Sequence, residues 1–203
     1  MINVTVVDYK VGNIRSITNM LRLFKNVNVK VSNDIKVILK SDKLILPGVG
    51  AYGNAMSKII KLELDDIIKE YLMTGNSILG ICLGMQLLMD SSEEFGFNNG
   101  LGLIPGKVIK ISDEVSNILP NIGYFKLNFK DHTINSHLND YWYYFIHSYQ
   151  CITDNISDIE SEILINSKKI ISSVSKDNIH GCQFHPEKSS EGGFEYFKSF
   201  LKQ

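Results

Sequence analysis

A cysteine stands between two glycines in residues 80–84, Gly-Ile-Cys-Leu-Gly. The preceding residues 77–81 are mainly apolar and typical of a strand, and residues 85–89 continue as a helix-compatible run without a breaker. Strand, sharp turn and helix around a nucleophile form a nucleophile elbow, here with sulfur in place of a serine oxygen. The glycines permit a tight turn, and the free N–H groups at the helix start favour a thiolate. The segment therefore predicts that Cys82 is a nucleophile.

A histidine and a glutamate follow about one hundred residues later, in residues 182–187, Cys-Gln-Phe-His-Pro-Glu. His185 and Glu187 are two positions apart, so an extended segment would point both side chains to one face. Glu187 could then orient the imidazole while His185 faces the sulfur, as an activated nucleophile requires. Each residue alone has an ordinary structural explanation, but together they predict a catalytic triad of Cys82, His185 and Glu187.

Residues 48–53, Gly-Val-Gly-Ala-Tyr-Gly, have the form of a dinucleotide-binding fingerprint. That fingerprint also needs an acidic residue at the end of the next strand, and the acidic residues at that distance lie in a helical pattern. We therefore favour a mobile loop whose peptide N–H turns toward an oxyanion, together with the N–H of Leu83. A plain strand-to-helix turn is the alternative. Gln86 lies one helical turn after Cys82 and is predicted to contact a substrate.

Composition restricts the class of protein. The 203 residues suffice for one well-packed core, so residues 1–203 are expected to form a single domain. With 21 basic and 22 acidic residues, the chain has no electrostatic footprint for nucleic acid or for an anionic membrane. A small-molecule substrate is therefore expected.

The cysteines and histidines give no sign of a metal centre. Cys82, Cys151 and Cys182 fit neither a disulfide framework nor a Cys-x-x-Cys site. His132, His137 and His180 lack the spacing of metal ligands, so no metal is expected. No apolar stretch approaches the ~20 residues that span a membrane, and the amino terminus lacks the basic region of a signal peptide. We expect a cytoplasmic protein.

The elements that must position these residues alternate between strand and helix. Residues 2–7, 14–24 and 27–31 predict a strand, a helix and a strand in turn. Residues 43–46 predict a further strand, followed by helical spacing over 56–72. This alternation predicts a mostly parallel, helix-flanked sheet that binds ligands beyond the carboxyl ends of its strands, where Cys82 and the residue 48 loop fall.

The carboxyl-terminal half has shorter β-rich runs, at residues 107–109, 142–146, 170–174 and 179–184. They suggest an antiparallel extension of the same sheet. A closing amphipathic helix carries Phe194, Phe197, Phe200 and Leu201. The predicted fold class is therefore α/β, with a mostly parallel central sheet flanked by helices and an antiparallel C-terminal extension.

Taken together, these motifs resemble the triad-type, class I glutamine amidotransferases, and within them the family of glutaminase subunits of imidazole glycerol phosphate synthase. The resemblance covers nearly the whole chain. The elbow and the His-Pro-Glu run are general to the class. Residues 47–51 (Pro-Gly-Val-Gly-Ala), 100–106 (Gly-Leu-Gly-Leu-Ile-Pro-Gly) and 185–189 (His-Pro-Glu-Lys-Ser) are close to specific for this subunit family.

The resemblance implies a mechanism without a cofactor. The Cys82 thiolate would attack the side-chain carboxamide of glutamine, and His185 would pass a proton to the leaving ammonia. The oxyanion would lie between the N–H of Leu83 and the loop of Val49 and Gly50. The implied glutamine contacts are Gly50, Gln86, Glu94, Ser148 and Tyr149.

The resemblance also implies a partner in a heterodimer, since ammonia released into neutral water is largely protonated and lost as a nucleophile. That partner is a (β/α)8-barrel cyclase that makes imidazole glycerol phosphate in histidine biosynthesis. Asn13, Asn121 and Tyr124 are the implied interface residues.

Two segments depart from the family pattern, and both face the partner in the family. Residues 120–125 read Pro-Asn-Ile-Gly-Tyr-Phe where Pro-His-x-Gly-Trp-Asn is usual, and Lys10 replaces a glycine. One alternative is therefore a paralogous glutaminase that supplies a sugar-amidating partner in surface-glycan synthesis. The others are a partner-independent cysteine amidase or peptidase, and a binding module with an inert Cys82.

Overall fold

The computed structural model of the chain describes residues 1–116, 118–130 and 135–203. Its strands are β1 (Ile2–Val7), β2 (Val27–Ser32), β3 (Lys43–Leu46), β4 (Ser77–Ile81), β5 (Met89–Ser92), β6 (Asn98–Asn99), β7 (Ile104–Lys110), β8 (Asn121–Lys126), β9 (Asn128–Phe129), β10 (Trp142–His147), β11 (Tyr149–Thr153), β12 (Ile159–Ile165), β13 (Lys168–Lys176) and β14 (Ile179–Cys182). Its α-helices are α1 (Ile14–Leu21), α2 (Ile35–Leu39), α3 (Tyr52–Lys61), α4 (Leu64–Met73), α5 (Leu83–Leu87) and α6 (Ser190–Phe200). Short 3₁₀ helices occupy Ser136–Leu138, Ile156–Asp158 and Pro186–Lys188.

The central sheet has the strand order β2-β1-β3-β4-β14-β13-β12-β9. Neighbours from β2 to β14 pair in parallel, whereas β13, β12 and β9 continue the sheet in antiparallel pairs. Successive residues of a strand point to opposite faces. Leu44 and Leu46 accordingly pack with α3 and α4, while Ile45 packs with α1 and α6. The predicted α/β fold, with its parallel sheet and antiparallel C-terminal extension, is confirmed.

Two of the β-rich runs expected to extend this sheet lie elsewhere, so that part of the expectation was wrong. Residues 107–109 belong to β7, in a separate sheet of order β11-β7-β5-β6. Residues 142–146 belong to β10, which pairs only with β8 among the described strands. Composition indicates that a run is extended but not which strand it pairs with, because strand pairing depends on distant parts of the chain.

The structure also differs from the predictions for two helices. The expected helix over residues 56–72 is divided into α3 and α4 by Glu63, whose φ of 57° lies in the left-handed region. The apolar spacing continues across this break, so periodicity alone did not reveal it. The expected helix after Cys82 ends at Leu87, and Met89 already begins β5.

The parallel pairing of β14 with β4 brings the two distant motifs together. Cys182 lies opposite Ile81 in the register, and the N–H of Cys82 donates to the carbonyl oxygen of Cys182 at 2.7 Å. Both strands therefore end at the same edge of the sheet, so Cys82 and His185 follow adjacent strand ends.

Three glycines allow the start of α5 to lie directly against neighbouring backbone. A Cβ on Gly84 would lie 1.9 Å from the carbonyl oxygen of Leu46, and one on Gly48 would lie 2.5 Å from the nitrogen of Gly84. A Cβ on Gly80 would lie 2.6 Å from the oxygen of Gly84. The sequence suggested that Gly80 and Gly84 serve the tight turn. Instead they permit close approach, and Cys82 itself takes the positive φ, at 55°.

Gly84→Ala is expected to lower the free energy of unfolding by about 3 kcal/mol, because the added methyl group must displace rigid backbone. Urea denaturation followed by circular dichroism measures the change. Gly123→Ala is the matched control, since its Cβ would meet only the edge of the Phe125 ring, at 3.3 Å. The control is expected to change the unfolding free energy by less than about 1 kcal/mol. Equal stability of Gly84→Ala and the wild type would contradict the close packing.

Candidate active site

Cys82 occupies the sharp turn between β4 and α5. Its φ of 55° and ψ of −111° lie outside the regions that L-residues ordinarily adopt. Backbone strain of this kind persists where the surrounding structure enforces it, as the tight packing of Gly48, Gly80 and Gly84 does here. Cys82 is 7% exposed and lines a cavity. The predicted elbow is therefore present, with the sulfur accessible from the cavity.

His185 and Glu187 form a buried pair. The Nδ1 of His185 lies 2.8 Å from Oε1 of Glu187, and both side chains are almost fully buried. The sequence suggested an extended segment, but only His185 is extended, and a 3₁₀ turn from Pro186 to Lys188 brings the carboxylate back to the ring. The other oxygen of Glu187, Oε2, is buried without a hydrogen-bond partner among the described residues.

The backbone of His185 is fixed by β10. Its N–H donates to the carbonyl oxygen of Tyr144 at 2.9 Å. The hydroxyl of Ser189 donates to the carbonyl oxygen of His185 at 2.6 Å and accepts from the N–H of Tyr144 at 2.9 Å. Ser189 thus ties the histidine to the neighbouring strand and restricts the position of the ring.

The imidazole of His185 also interacts with the sulfur of Cys82. Since Nδ1 faces Glu187, the nitrogen that faces sulfur is Nε2. Burial lowers the pKa of His185, but the hydrogen bonds and charges of Cys82 and Glu187 outweigh it and raise the pKa from 6.5 to about 10. The predicted triad residues therefore converge, and the arrangement favours an imidazolium at neutral pH.

The cavity at this site has a volume of about 630 Å³. It is lined by Cys82 and His185 of the predicted triad. It is also lined by every residue predicted to contact glutamine and by both parts of the predicted oxyanion site: Val49, Gly50, Leu83, Gln86, Glu94, Ser148 and Tyr149. The remaining lining residues were not predicted: Phe95, Lys110, Leu119, Pro120, Ile146, His147 and Lys188. Such a volume suits a small ligand.

The charges of the cavity match a small zwitterion. Glu94 supplies a carboxylate, whose Oε2 accepts from the N–H of Tyr52 at 2.5 Å, at the start of α3. Lys110 and Lys188 supply ammonium groups, and the Lys188 ammonium lies 5.3 Å from the centre of the Tyr144 ring. An α-amino acid carries both complementary charges.

The predicted oxyanion groups lie on two adjoining segments. Leu83 is the first residue of α5, so its N–H has no partner within the helix. Gly50 has a φ of 92°, and a Cβ there would meet nothing within 4 Å. Glycine is therefore needed at this position for its backbone conformation and not for space.

The wall behind the cavity contains a polar chain that the sequence did not reveal. The amide of Gln183 lies between Gln86 and the sulfur of Cys82. His147 places Nδ1 2.8 Å from the carbonyl oxygen of Tyr149 and Nε2 3.2 Å from the amide nitrogen of Asn121. Gln183 lies two residues before the His-Pro-Glu motif, but its contact depends on the pairing of β14 with β4, which no local pattern indicates.

The predicted interface residues differ in exposure. Asn121 is 7% exposed, whereas Tyr124 is 56% exposed and Asn13 is half-buried. Over residues 1–116, 118–130 and 135–203, no three His, Cys, Asp or Glu side chains cluster as metal ligands. His132 lies outside the described residues. No helix in the described part of the chain is long and apolar enough to cross a membrane.

Comparison with known proteins places the chain in a family. The family model for "Glutamine amidotransferase class-I" matches residues 5–203. A Chlorobaculum tepidum protein named "Imidazole glycerol phosphate synthase subunit HisH" is 37% identical over 201 residues, covering 98% of this chain and 99% of the relative. Proteins of the same name from Listeria monocytogenes and Sulfurimonas denitrificans are each 39% identical, covering 97% and 98% of this chain and 94% and 97% of the relatives.

Solved structures share the fold. A crystal structure of a glutamine amidotransferase matches with a TM-score of 0.74 at 15% identity, covering 98% of this chain and 99% of the other. The structure of PurLQS from Thermotoga maritima matches with a TM-score of 0.74 at 20% identity, covering 100% and 99%. By the family model and the full-length relatives, the chain belongs to the class I glutamine amidotransferase family.

Proposed function

We propose that this chain is the glutaminase subunit of an imidazole glycerol phosphate synthase in histidine biosynthesis. It hydrolyses L-glutamine through Cys82, His185 and Glu187 and delivers ammonia to a (β/α)8-barrel cyclase in a cytoplasmic heterodimer. The single observation that carries the proposal is the assembly of this sulfur, imidazole and carboxylate at one wall of a cavity suited to an amino acid. The names of the full-length relatives support the choice of acceptor reaction.

Acylation begins with attack of the Cys82 thiolate on the carboxamide carbon of glutamine. The carbonyl π electrons move to oxygen, and the N–H groups of Leu83 and of the Val49–Gly50 loop stabilise the resulting oxyanion. The imidazolium of His185 then transfers its Nε2 proton to the substrate nitrogen. The C–N bond breaks, ammonia leaves and a glutamyl thioester remains on Cys82.

Deacylation uses the same groups in reverse. Neutral His185 takes a proton from water as that water attacks the thioester carbon. The C–S bond breaks, glutamate leaves, and Cys82 and His185 return to the thiolate and imidazolium. Glu187 holds Nδ1 throughout, so the ring keeps Nε2 directed at the reacting atoms.

Substrate recognition follows from the charges of the cavity. Glu94 is placed to bind the α-ammonium group of glutamine. Gln86 contacts the reacting carboxamide beside Cys82, and Gly50, Ser148 and Tyr149 complete the site.

An exposed face beside the cavity supports the proposal that a partner protein binds there. On the two-stranded sheet of β8 and β10, Ile122 lies opposite Ile146, Tyr124 opposite Tyr144 and Lys126 opposite Trp142. Ile122, Tyr124 and Trp142 are each 56% exposed, and Ile146 continues the face into the cavity lining. Contiguous exposed apolar groups of this kind mark interaction sites. A partner docked here would cover the cavity and receive ammonia before it reaches water.

The same face carries the observation that favours a second acceptor. Tyr124 on this face stands where the family pattern has tryptophan, so a sugar-amidating partner in surface-glycan synthesis is the competing proposal. Ammonia release with and without the cyclase separates both from a partner-independent amidase or peptidase. Formation of imidazole glycerol phosphate separates the two partner-dependent proposals.

Cys82→Ala is expected to reduce glutamine-dependent synthesis by the complex at least about a thousandfold, because the nucleophile is lost. Synthesis from added ammonium salt is expected to persist, since the acceptor chemistry lies on the cyclase. Coupled assays of product formation with either nitrogen source measure the two activities. Cys151→Ala is the matched control, since Cys151 is buried outside the cavity lining. Loss of both activities in Cys82→Ala would contradict the division of labour.

Glu187→Gln is expected to lower the pKa of His185 from about 10 by about 1–3 pH units. The substitution removes a charge that favours the imidazolium while burial, which lowers the pKa, remains. The protonated ring is therefore lost at lower pH in the variant than in the wild type. Imidazole ¹⁵N NMR across pH 4–11 measures the change, with His147 and His180 as internal references because burial lowers the pKa of each to about 4. An unchanged pKa of His185 would refute the contribution of Glu187.

Ile122→Asp is expected to weaken the complex with the cyclase at least about tenfold, because it places a charge in the exposed apolar face. Leu164→Asp is the control, since Leu164 is similarly exposed, at 60%, on β12 of the central sheet. Isothermal titration calorimetry measures both affinities. Equal weakening by the two variants, or none by Ile122→Asp, would exclude this face as the docking site.

A further inference from the structure

We infer that Gln183 is a positioning residue for the Cys82 thiol and, through Gln86, for the substrate-facing oxygen of the cavity wall. The inference rests on the glutaminase function proposed above and adds a residue to its machinery. Gln183 immediately follows β14 and is fully buried. Its backbone N–H donates to the carbonyl oxygen of Ser172 at 2.9 Å, which fixes its main chain beside the elbow.

The side chain of Gln183 connects two groups of the site. Its Nε2 lies 3.6 Å from the sulfur of Cys82, a hydrogen-bond distance for the large sulfur atom. Its Oε1 lies 2.9 Å from the Nε2 of Gln86. The Nε2 of Gln86 also lies 3.3 Å from the carbonyl oxygen of Tyr149.

Hydrogen-bond chemistry fixes the orientation of both amides. The carbonyl oxygen of Tyr149 can only accept, so the amide group of Gln86 that faces it must be the nitrogen. The same nitrogen faces Gln183, so the atom of Gln183 that meets it must be the oxygen. The NH₂ group of Gln183 is then directed at the sulfur of Cys82. One main-chain carbonyl therefore sets the direction of the whole chain of hydrogen bonds.

This orientation has a consequence for the thiolate. A buried anion needs donors to replace lost water, and the amide of Gln183 supplies one to Cys82 beside the interacting ring of His185. Interactions with both Gln183 and His185 also restrict rotation of the Cys82 side chain. Gln183 thus helps hold the sulfur in its anionic, correctly directed form.

The orientation has a second consequence for Gln86. Both hydrogens of its amide nitrogen are used, one on Tyr149 and one on Gln183. Its oxygen remains as an acceptor in the cavity lining. The carboxamide NH₂ of glutamine is a donor, so Gln86 presents a complementary group and would discriminate against a substrate carboxylate.

Alkylation of Cys82 by iodoacetamide tests the role of Gln183 without glutamine or a partner. Second-order rates are measured from pH 5 to 10 in the full-length wild type, Gln183→Met and Gln183→Glu, and the adduct is located by mass spectrometry. Cys151 and Cys182 are fully buried, so native-state labelling reports on Cys82. Gln183→Met is expected to react about tenfold more slowly at pH 7, with the midpoint of its pH profile moved upward. Gln183→Glu is expected to react more slowly still, because a carboxylate repels the thiolate.

Gln150→Met is the matched control. Gln150 is also a buried glutamine, on β11, and is expected to keep the wild-type rate within about twofold. In the assembled complex, Gln183→Met is expected to lower kcat more than it raises KM, as a change in the nucleophile requires. Identical pH profiles for wild type and Gln183→Met would overturn the inference.

A measurement on the wild type covers the case in which the variants do not fold. In ¹⁵N-glutamine-labelled protein, alkylation of Cys82 is expected to shift the side-chain NH₂ resonances of Gln183 and leave those of Gln150 in place. Unmoved Gln183 resonances would refute the contact with sulfur. Ammonia release from glutamine by the wild type with its cyclase separately tests the proposed function. If no ammonia were released but the alkylation profile of Gln183→Met were still displaced, the glutaminase proposal would be rejected and the role of Gln183 retained.

Discussion

The parallel pairing of β14 with β4 is the interaction on which the site depends. It places Cys182 opposite Ile81, and a hydrogen bond from the N–H of Cys82 to Cys182 continues the pairing by one residue. Beyond that point one strand enters the elbow and the other enters the His-Pro-Glu turn. A shift of register by one residue would turn every β14 side chain to the other face and move the ring of His185 away from the sulfur. The buried apolar residues on both faces of the sheet oppose such a shift.

The site also carries costs that the rest of the fold must offset. Cys82 has a left-handed φ, and Oε2 of Glu187 is buried without a partner among the described residues. Each feature destabilises the folded chain by about 1–3 kcal/mol. Both belong to the site, because the strained turn places Cys82 at the cavity and the buried carboxylate of Glu187 holds the ring of His185. The close packing of Gly48 against Gly84 holds the elbow in place against that strain.

The sequence was sufficient where chemistry is carried by residue type and local pattern. Cys82, His185 and Glu187 were predicted because a nucleophile elbow and a base two positions from a carboxylate are short motifs. Contacts that depend on long-range pairing were not predicted. Gln183 reaches the sulfur only because β14 lies beside β4, and the amide of Asn121 reaches His147 only because β8 pairs with β10. Likewise, the sequence of β7 and β10 predicted that each is a strand but did not indicate which strands they pair with.

The electrostatics of the cavity explain why its back wall can be polar without disturbing the triad. The carbonyl oxygen of Tyr149 only accepts, so the Nδ1 of His147 carries the hydrogen and its Nε2 accepts from Asn121. Burial, together with the charge on His185, lowers the pKa of His147 to about 4, so this ring is neutral at neutral pH. A cation here would repel the imidazolium of His185 and weaken the thiolate beside it. Neutral amides and a neutral imidazole thus supply the hydrogen bonds of the buried backbone in this wall. The charges of the site are carried by His185 and Glu187, by Glu94 and by the lysines that line the cavity.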